Sequence, residues 1–194
     1  MHSIIFATNN ANKVNEIQSL VGANFKVFPL KEAGIDIDIP EPHDSLEANA
    51  AEKARTIFNM TKMNCFSEDT GLEIVALNGA PGVKSARYAG DDRNFQANID
   101  KVLLELHSES NRAAQFRTVI CLIWNEQEYY FEGICKGHIT FNMQGKKGFG
   151  YDPIFIPEGS EKSFAQMDME KKNGFSHRQK AVTQLFNFLN TIVS

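Results

Sequence analysis

The sequence lacks the features that mark disulfide-rich, zinc-binding or thiol-dependent proteins. Its 194 residues include only three cysteines, Cys65, Cys121 and Cys135, an odd number without CxxC spacing. This pattern argues against a disulfide framework and against a CxxC zinc or redox motif. Because each cysteine lies in or beside an apolar run, we expect all three to be reduced core residues of a cytoplasmic protein rather than nucleophiles.

Long apolar stretches and an excess of positive charge are also missing. The apolar run near the start, Ile4 to Ala7, is too short for a signal peptide or a membrane span. The chain carries 20 Lys and Arg against 24 Asp and Glu, a formal net charge of -4. Because this balance creates no global attraction for nucleic acid, we expect neither a nucleic acid nor a membrane as partner. An anionic ligand would need local clusters of Lys and Arg.

The remaining composition is that of a globular protein with one substantial core, at 42% hydrophobic and 23% charged residues. Apolar periodicity predicts a buried strand over residues 3–7 and a helix after it, with Val14, Ile17, Leu20 and Val21 on one face. It predicts three further helices, over residues 46–60, 91–107 and from about 176 to the end, and two long strands around a turn near Asn125–Gln127. The stretch CFSEDTGLEIVAL predicts a strand, an acidic turn and a second strand. Helices interspersed with strands and one hairpin indicate an α/β protein with a mixed sheet.

The junction between the first strand and the next helix, ATNNANKVNEI, contains no glycine, which excludes a Walker-type phosphate loop. Backbone N–H groups at a helix start favour anions, and Thr8, the asparagines and Lys13 could add donors and charge. An equally valid interpretation is that Asn10 or Asn12 caps the helix and that Lys13 is solvated.

Two acidic features follow. Glu68 and Asp69 are expected to emerge at the end of a strand, where adjacent carboxylates repel and a divalent cation would relieve that repulsion. Glu41 upstream could add an oxygen ligand, although an ordinary acidic turn explains the pair as well. Asp44 and Glu47 match a capping box at the start of the second helix, which accounts for Glu47 without a metal.

Three further segments carry glycines, aromatic residues or positive charge. NGAPGVKSARYAG predicts a shaped loop with Lys84 and Arg87. In GKKGFGYDPIF, glycines flank Phe149 and Tyr151, which we expect to be exposed and suited to stacking on a flat ring. In EKKNGFSHRQKA, Ser176 and Gln179 match a capping box, and the cation Arg178 in the first turn suggests an anion nearby, although a solvated basic turn remains possible. Phosphates, a metal ion and a ring together suggest a nucleotide.

These motifs, in this order, resemble the inosine triphosphate pyrophosphatases, also called dITP/XTP or non-standard purine nucleoside triphosphate pyrophosphatases. The resemblance spans essentially the whole chain and rests on ATNNANKVNEI, LEANAAEKA, SEDTGLEIVALNGAPGVKSARYAG, GFGYDPIFIP and KKNGFSHRQKA. It implies one domain over residues 1–194, with an elongated α/β structure of two lobes, a central active-site cleft and usually a homodimeric assembly. The implied reaction cleaves ITP, dITP or XTP between the α- and β-phosphates.

The resemblance also implies roles for individual residues. It assigns the triphosphate to Thr8, Asn9, Asn10, Ala11, Asn12 and Lys13. It implies Mg2+ held by Glu41 and Asp69 with Glu68 nearby, and Asp69 as the general base. It implies substrate contacts at Lys53 and Thr70, and a base pocket formed by Phe149, Gly150, Tyr151, Asp152, Lys172, His177 and Arg178.

The chain departs from the family pattern at three positions. Glu68 stands where many bacterial members have a second aspartate, Ala48 where many have glutamate, and Thr70 where serine is common. None of these changes removes a catalytic group that the resemblance implies. Two other functions stay open: a house-cleaning pyrophosphatase for modified pyrimidine nucleotides, and a non-catalytic nucleotide-binding module.

Overall fold

The computed structural model of the protein describes residues 1–18, 20–21 and 24–193. Within these residues the chain forms seven strands and five α-helices. The strands are β1 His2–Phe6, β2 Phe25–Pro29, β3 Cys65–Ile74, β4 Pro81–Gly82, β5 Ala113–Trp124, β6 Gln127–Ile139 and β7 Phe155–Pro157. The helices are α1 Ala11–Gln18, α2 Leu46–Thr61, α3 Phe95–Glu105, α4 Met169–Phe175 and α5 His177–Ile192. None of the helices in these ranges is long and apolar enough to cross a membrane.

The strands form a mixed sheet in the order β2-β1-β3-β5-β6-β7, with β4 beside β3. Strand β1 runs parallel to β2 and β3, while β4 and β7 run antiparallel to β3 and β6. Strands β5 and β6 are joined by Asn125 and Glu126, whose φ angles of 49° and 67° suit a two-residue hairpin turn. The predicted α/β class, the mixed sheet and the hairpin are therefore confirmed.

The chain divides into two compact units. The first unit comprises Met1–Asp69, Thr118–Gly133 and Arg178–Ser194, and the second comprises Thr70–Arg117 and Ile134–His177. The boundary falls within β3, β5 and β6 and after the first residue of α5, so no linker separates the units along the chain.

The first unit buries both faces of its strands, as a parallel interior strand such as β1 requires. One face, which we call the α5 face, packs against α1 and α5 through Ile4, Phe6, Phe66, Ile120, Leu122, Ile17, Val182, Leu185 and Leu189. The opposite α2 face packs against α2 through Ile5, Ala7, Cys65, Cys121, Ile123, Ala50, Ala54 and Ile57. Successive residues of a strand therefore point alternately to α5 and to α2.

The second unit has its own core around aromatic side chains. Phe116, Phe155 and Phe164 pack together, with ring centroids 4.7 to 6.1 Å apart. Helix α3 contributes Ile99 and Val102 to this core. The second unit therefore has a hydrophobic core of its own.

The cysteines are free and buried, as predicted. Burial raises the pKa of the Cys65 and Cys121 thiols to about 12. A thiol with such a pKa carries almost no thiolate at neutral pH, so these two side chains are packing residues rather than nucleophiles.

The predicted acidic turn in CFSEDTGLEIVAL is wrong, because β3 continues without interruption from Cys65 to Ile74. Glu68 and Asp69 lie in the middle of this strand and are buried. Two consecutive carboxylates in a sequence usually indicate a solvent-exposed turn. Here cationic side chains from distant segments of the chain form ion pairs with them inside the protein. The strand therefore continues through both residues without exposing them to solvent.

The start of α3 and the capping residue of α2 also differ from the predictions. Helix α3 begins at Phe95 rather than near Asp91, because Asn94 Oδ1 accepts the backbone N–H of Ala97 at 3.1 Å. Helix α2 is capped by Ser45, whose Oγ accepts the N–H of Ala48 at 3.2 Å, and not by Asp44. Serine and aspartate are both good N-cap residues, so the sequence alone could not show whether Ser45 or Asp44 caps α2.

The cap of α2 provides the first testable prediction. Replacing Ser45 with alanine should lower the free energy of unfolding by about 1 kcal/mol, because one N–H of the first turn loses its acceptor. The matched control is Asp44→Ala, which removes a capping-type side chain one residue earlier and should leave stability nearly unchanged. Urea denaturation measures both, and equal losses in the two variants would contradict the assignment of the cap.

Candidate active site

The loop between β1 and α1 is organised by its own side chains. Thr8 Oγ1 accepts the N–H of Asn10 at 3.2 Å, and Asn10 Oδ1 accepts the N–H groups of Asn12 and Lys13 at 3.0 and 3.4 Å. Asn9 Nδ2 donates to the carbonyl of Ile37 at 2.8 Å and ties the loop to a second segment. Asn10 is therefore the helix cap, one of the two residues that the sequence offered for this role.

Lys13 is partly exposed, but it is not simply a solvated lysine, because its ammonium lies 3.0 Å from Glu68 Oε1. Arg178 Nε donates to the other Glu68 oxygen at 2.7 Å, and Arg178 Nη1 also contacts Glu16 Oε2. We call these four residues the Glu68 cluster. It contains two cations and two anions, and the side chains of Arg178, Glu16 and Glu68 are almost completely buried. The anion that the sequence predicted near Arg178 is thus present in the protein itself.

The charge of Glu68 is stabilised by its two cationic partners. Burial alone would raise the pKa of Glu68, but Arg178 and Lys13 outweigh it and hold that pKa well below its usual range. Burial would lower the pKa of Arg178, but Glu68 and Glu16 outweigh it and hold that pKa above its ordinary value. Glu68 and Arg178 therefore both stay charged at neutral pH, which is the condition for a stable buried ion pair.

Glu16 is a residue that the sequence interpretation missed. It lies three residues after Lys13 on α1, beside the buried Ile17, and only 4% of it is exposed. A glutamate that adjoins the apolar side of a short helix and lies one turn from a lysine is a weak signal of a buried ion pair.

A second charged cluster lies on the α2 side of β3. Lys53 Nζ donates to Glu41 Oε1 at 2.5 Å and to Asp69 Oδ1 at 3.1 Å. Asn49 Nδ2 donates to Asp69 Oδ2 at 3.4 Å, so both oxygens of this carboxylate are oriented by α2. We call Glu41, Asn49, Lys53 and Asp69 the Lys53 cluster. It contains one cation for two carboxylates.

The pKa values of Lys53 and Asp69 reflect this imbalance of charge. Burial lowers the pKa of Lys53, but Asp69 and Glu41 raise it more, so the lysine stays charged. Burial raises the pKa of Asp69, and Glu41 adds to the effect, while Lys53 and Lys13 oppose it. Because one ammonium is shared by two carboxylates, the negative charge of Asp69 is only partly compensated, and we expect its pKa to be raised. A carboxylate with a raised pKa is a better general base near neutral pH.

The Lys53 cluster fits a divalent cation by its chemistry. Two carboxylates already converge on one cation, the Lys53 ammonium, and oxygen ligands with an excess of negative charge are those that Mg2+ prefers. The part of the chain that the structure describes contains no group of three or more His, Cys, Asp or Glu side chains arranged to hold a metal ion. Glu68 does not join Glu41 and Asp69, because it points to the opposite face of β3. The two carboxylates therefore belong to different clusters, and whether they share one cation stays a prediction.

In the second unit, Asp152 organises the glycine-rich loop. Lys172 Nζ donates to Asp152 Oδ2 at 2.7 Å, and the N–H of Phe149 donates to the same oxygen at 2.9 Å. The Lys172 ammonium lies 5.1 Å from the centroid of the Phe149 ring. We call these three residues the Asp152 cluster. It holds a half-buried aromatic ring and a buried cation beside each other.

The other residues predicted for the base pocket lie at different places in the two units. Tyr151 was expected to be exposed, which is wrong: 4% of it is exposed, and its hydroxyl donates to the carbonyl of Ser85 at 2.8 Å. The ring of His177 is buried and stacks on Phe116, with centroids 4.7 Å apart. Gly150 has a φ of +59°. The residues Thr8 to Lys13, Glu41, Lys53, Glu68, Asp69 and Arg178 belong to the first unit, and Thr70, Phe149 to Asp152, Lys172 and His177 to the second.

The capping box predicted at Ser176 and Gln179 is not formed as expected. The backbone N–H of Ser176 donates to the carbonyls of Lys172 and Asn173 and so ends α4. It therefore does not serve as the donor to Gln179 that a capping box requires. A complete capping box occurs instead at Ser163 and Gln166, where the sequence interpretation had not placed one.

Comparison with known proteins identifies the family of the chain. Residues 4–188 match the Ham1 family. The chain belongs to the Ham1 family. It is 49% identical over 185 residues to the dITP/XTP pyrophosphatase of Flavobacterium psychrophilum, covering 95% of this chain and 97% of that protein. It is 48% identical over 190 residues to the dITP/XTP pyrophosphatase of Porphyromonas gingivalis, covering 97% and 98%.

Solved structures of Ham1 proteins are similar as well. The Ham1 protein of Staphylococcus aureus has a TM-score of 0.89 and 36% identity, covering 97% of this chain and 98% of that one. The HAM1 protein of Coxiella burnetii has a TM-score of 0.90 and 38% identity, covering 98% and 100%. The resemblance inferred from the sequence motifs is therefore confirmed.

The Glu68 cluster predicts a large effect on stability. In Glu68→Gln, Arg178 and Lys13 lose a buried anionic partner, and the free energy of unfolding should fall by about 3–5 kcal/mol at neutral pH. The control is Glu128→Gln, which weakens an exposed pair with Arg55 at 2.6 Å and should cost less than about 1 kcal/mol. Similar losses in the two variants would contradict the proposed importance of burial.

The same comparison has a pH dependence whose sign follows from the lowered pKa of Glu68. The ordinary pKa of a glutamate is 4.5, so the contribution of Glu68 is complete above that value and is lost as the pH falls below it. The difference in stability between wild type and Glu68→Gln should therefore shrink on acidification below about pH 4.5. A difference that stayed constant across that range would contradict this assignment of charge.

The Asp152 cluster predicts an unusual sensitivity at Gly148. Its φ is +75°, and a Cβ added there would overlap the Asp152 carboxylate that binds Lys172 and Phe149. Gly159 is a matched control, with a φ of +84° and only an ordinary contact of 3.7 Å to the Phe175 ring. Both alanine variants should lose about 1 kcal/mol of stability through backbone strain. Gly148→Ala should lose clearly more, and the excess should vanish in an Asp152→Ala background, as measured by urea denaturation.

Proposed function

We propose that this Ham1 protein hydrolyses non-standard purine nucleoside triphosphates, ITP, dITP and XTP, to the nucleoside monophosphate and pyrophosphate. The names of relatives that are nearly half identical over almost the whole chain support this activity. The structural observation that carries it is the Lys53 cluster, in which a buried aspartate with a raised pKa shares one lysine with a second carboxylate. Removing such substrates would cleanse the nucleotide pool.

In the proposed mechanism, Asp69 acts as the general base toward the attacking water. Lys53 fixes one of its oxygens, and the raised pKa allows the carboxylate to accept a proton during turnover. Mg2+ held by Glu41 and Asp69 would supply charge compensation for the triphosphate and lower the pKa of water. Whether Glu68 also serves the metal stays a prediction, and we propose that it instead positions Lys13 and Arg178.

The triphosphate is proposed to bind at the start of α1. Residues Thr8 to Lys13 present the helix N-terminus, where backbone N–H groups and the helix dipole favour an anion. Lys13 is partly exposed and lies at the edge of the Glu68 cluster, so its ammonium is the cation best placed to serve the phosphates as well. Thr70, the residue after Asp69, is proposed as a further substrate contact, and the bond cleaved lies between the α- and β-phosphates.

The base is proposed to be recognised by Phe149 together with hydrogen-bond donors of other side chains. The half-buried Phe149 ring offers a stacking surface, while Lys172, His177 and Arg178 provide donors for the 6-oxo group of hypoxanthine or xanthine. Adenine has an amino group at that position and would leave those donors unpaired, which costs several powers of ten in rate. Gly150, Tyr151 and Asp152 are proposed to shape this pocket, Tyr151 through its hydroxyl contact with Ser85.

Further properties belong to the same proposal. We propose that residues 1–194 act as one catalytic domain of two lobes with the active site in a cleft, that it needs Mg2+, and that it works as a cytoplasmic homodimer without a nucleic-acid partner. The alternative substrates, modified pyrimidine nucleotides, and a non-catalytic binding role are not favoured by the relatives' names.

The deciding experiment measures pyrophosphate release by the full chain from ITP, dITP, XTP, ATP, GTP and dUTP, with Mg2+ or with EDTA. We expect the inosine and xanthosine compounds to be preferred over ATP by several powers of ten, and no turnover in EDTA. Faster release from dUTP or a methylated pyrimidine triphosphate than from ITP would favour the pyrimidine alternative. Absence of release from every compound would favour the binding module.

The control for the mechanism is Asp69→Asn, which retains the shape of the side chain and removes the base. Its kcat for ITP should fall by about 10²–10⁴ because a general base contributes that much. Full Mg2+-dependent turnover by this variant would contradict the assignment of Asp69.

A further inference from the structure

Asn49 is a buried polar residue to which no role in the reaction has yet been given. It lies inside α2, only 1% of it is exposed, and its side-chain amide makes three hydrogen bonds. Its Oδ1 accepts the backbone N–H of His43 at 2.9 Å. Its Nδ2 donates to the carbonyl of His43 at 3.0 Å and to Asp69 Oδ2 at 3.4 Å.

These partners leave only one possible orientation of the amide. An asparagine side chain has one acceptor oxygen and one NH2 group with two donor hydrogens. Because the His43 N–H can only donate and the His43 carbonyl can only accept, the oxygen must face the former and the NH2 group the latter. The remaining hydrogen of that NH2 group is therefore directed to Asp69 by the pairing with His43.

The contact with His43 fixes the segment that carries Glu41, which precedes His43 by two residues. Lys53 lies one helical turn after Asn49 on the same side of α2, and it binds both Glu41 and Asp69. Lys53 therefore binds both carboxylates directly, whereas Asn49 binds Asp69 directly and the segment of Glu41 through the backbone of His43. Lys53 supplies positive charge, whereas Asn49 supplies contacts without charge.

We propose that Asn49 is a positioning residue that fixes the separation of Glu41 and Asp69 and thereby sets the affinity of this pair for a divalent cation. The inference rests on the proposed function in that Glu41 and Asp69 hold the metal. It adds that a neutral side chain outside the ligand set determines how tightly they do so. Residues that orient metal ligands typically contribute a factor of about 10–100 to metal affinity.

The second unit offers a matched control. Asn98 on α3 is 2% exposed and holds a loop in the same manner, with Oδ1 accepting the N–H of Ala89 at 2.7 Å and Nδ2 donating to the carbonyl of Ala86 at 3.0 Å. Its hydrogen bonds reach backbone groups and no carboxylate. Asn98→Ala therefore removes the same atoms and the same kind of loop contact without touching the Lys53 cluster.

The test titrates Mn2+, as a probe for Mg2+, into the nucleotide-free full chain and measures bound metal by electron paramagnetic resonance. Asn49→Ala should bind Mn2+ roughly ten-fold more weakly than wild type or worse, and Asn98→Ala within about two-fold of wild type. Both should lose stability in urea by similar amounts, because each side chain makes three hydrogen bonds, the third of Asn98 being from Nδ2 to the carbonyl of Ser85 at 3.5 Å. Alanine suits the interior of both helices, so folding should be retained. If Asn49→Ala does not fold, Asn49→Ser replaces it, because a single hydroxyl donor cannot serve both His43 and Asp69.

The outcomes separate this inference from the proposed function. Wild-type Mn2+ affinity in Asn49→Ala, or an equal weakening in Asn98→Ala, would overturn the positioning role and leave the proposed reaction intact. A wild-type protein that binds no Mn2+ would contradict the metal site itself, and the inference would fail with it. If Glu41→Gln loses Mn2+ binding while Asn49→Ala keeps it, metal affinity depends on the ligands alone, and the positioning role of Asn49 is overturned.

Discussion

The structure of the first unit depends on the burial of two consecutive carboxylates in the middle of β3. Side chains alternate along a strand, so Glu68 points to the α5 face beside Phe66 and Asp69 to the α2 face. The two charges therefore do not meet, and each must be compensated from its own side. Because an uncompensated buried charge is very costly, the helices on both faces are tied to the strand through cations: α1 and α5 through Lys13 and Arg178, and α2 through Lys53.

The two sides are compensated to different degrees, and this difference separates structure from chemistry. On the α5 face, Lys13 and Arg178 balance Glu68 and Glu16, and the carboxylate of Glu68 is held charged by a hydrogen bond from Arg178 and an ion pair with Lys13. On the α2 face one lysine is shared by Asp69 and Glu41, so negative charge remains in excess. Adjacent residues of the same chemical type can thus have opposite uses: a carboxylate whose charge is fully balanced stabilises the fold, and one whose charge is partly balanced attracts a cation or a proton.

The sequence predicted those parts of the fold that depend on local patterns. Apolar periodicity identified β1, α2, α5 and the hairpin, because a buried face has a period that does not depend on what covers it. It failed at Glu68 and Asp69, because the cations that allow their burial come from segments far away along the chain. It failed similarly at Tyr151, where flanking glycines suggested exposure but the ring packs in the core and the hydroxyl finds a backbone carbonyl.

The candidate site was predictable where a known family pattern applied and less so where a role depends on geometry. Motif order named Asp69, Glu41 and Lys53, and the structure brings these three together. The family pattern assigned no role to Glu16 or Asn49. An asparagine inside the alanine-rich LEANAAEKA is nevertheless a signal in itself, since asparagine is a poor helix former unless its side chain makes a specific contact.

The neutrality of Asn49 follows from the charge balance of its cluster. Asp69 needs a donor on each oxygen to be held in place, and Lys53 already provides one. A second lysine at position 49 would supply the other donor, but it would also make the cluster electrically neutral, as the Glu68 cluster is. The carboxylates would then be well ordered and would have little remaining attraction for a metal ion. An amide orients the carboxylate and leaves its charge in excess, so α2 can combine one charged and one neutral contact and keep both order and reactivity.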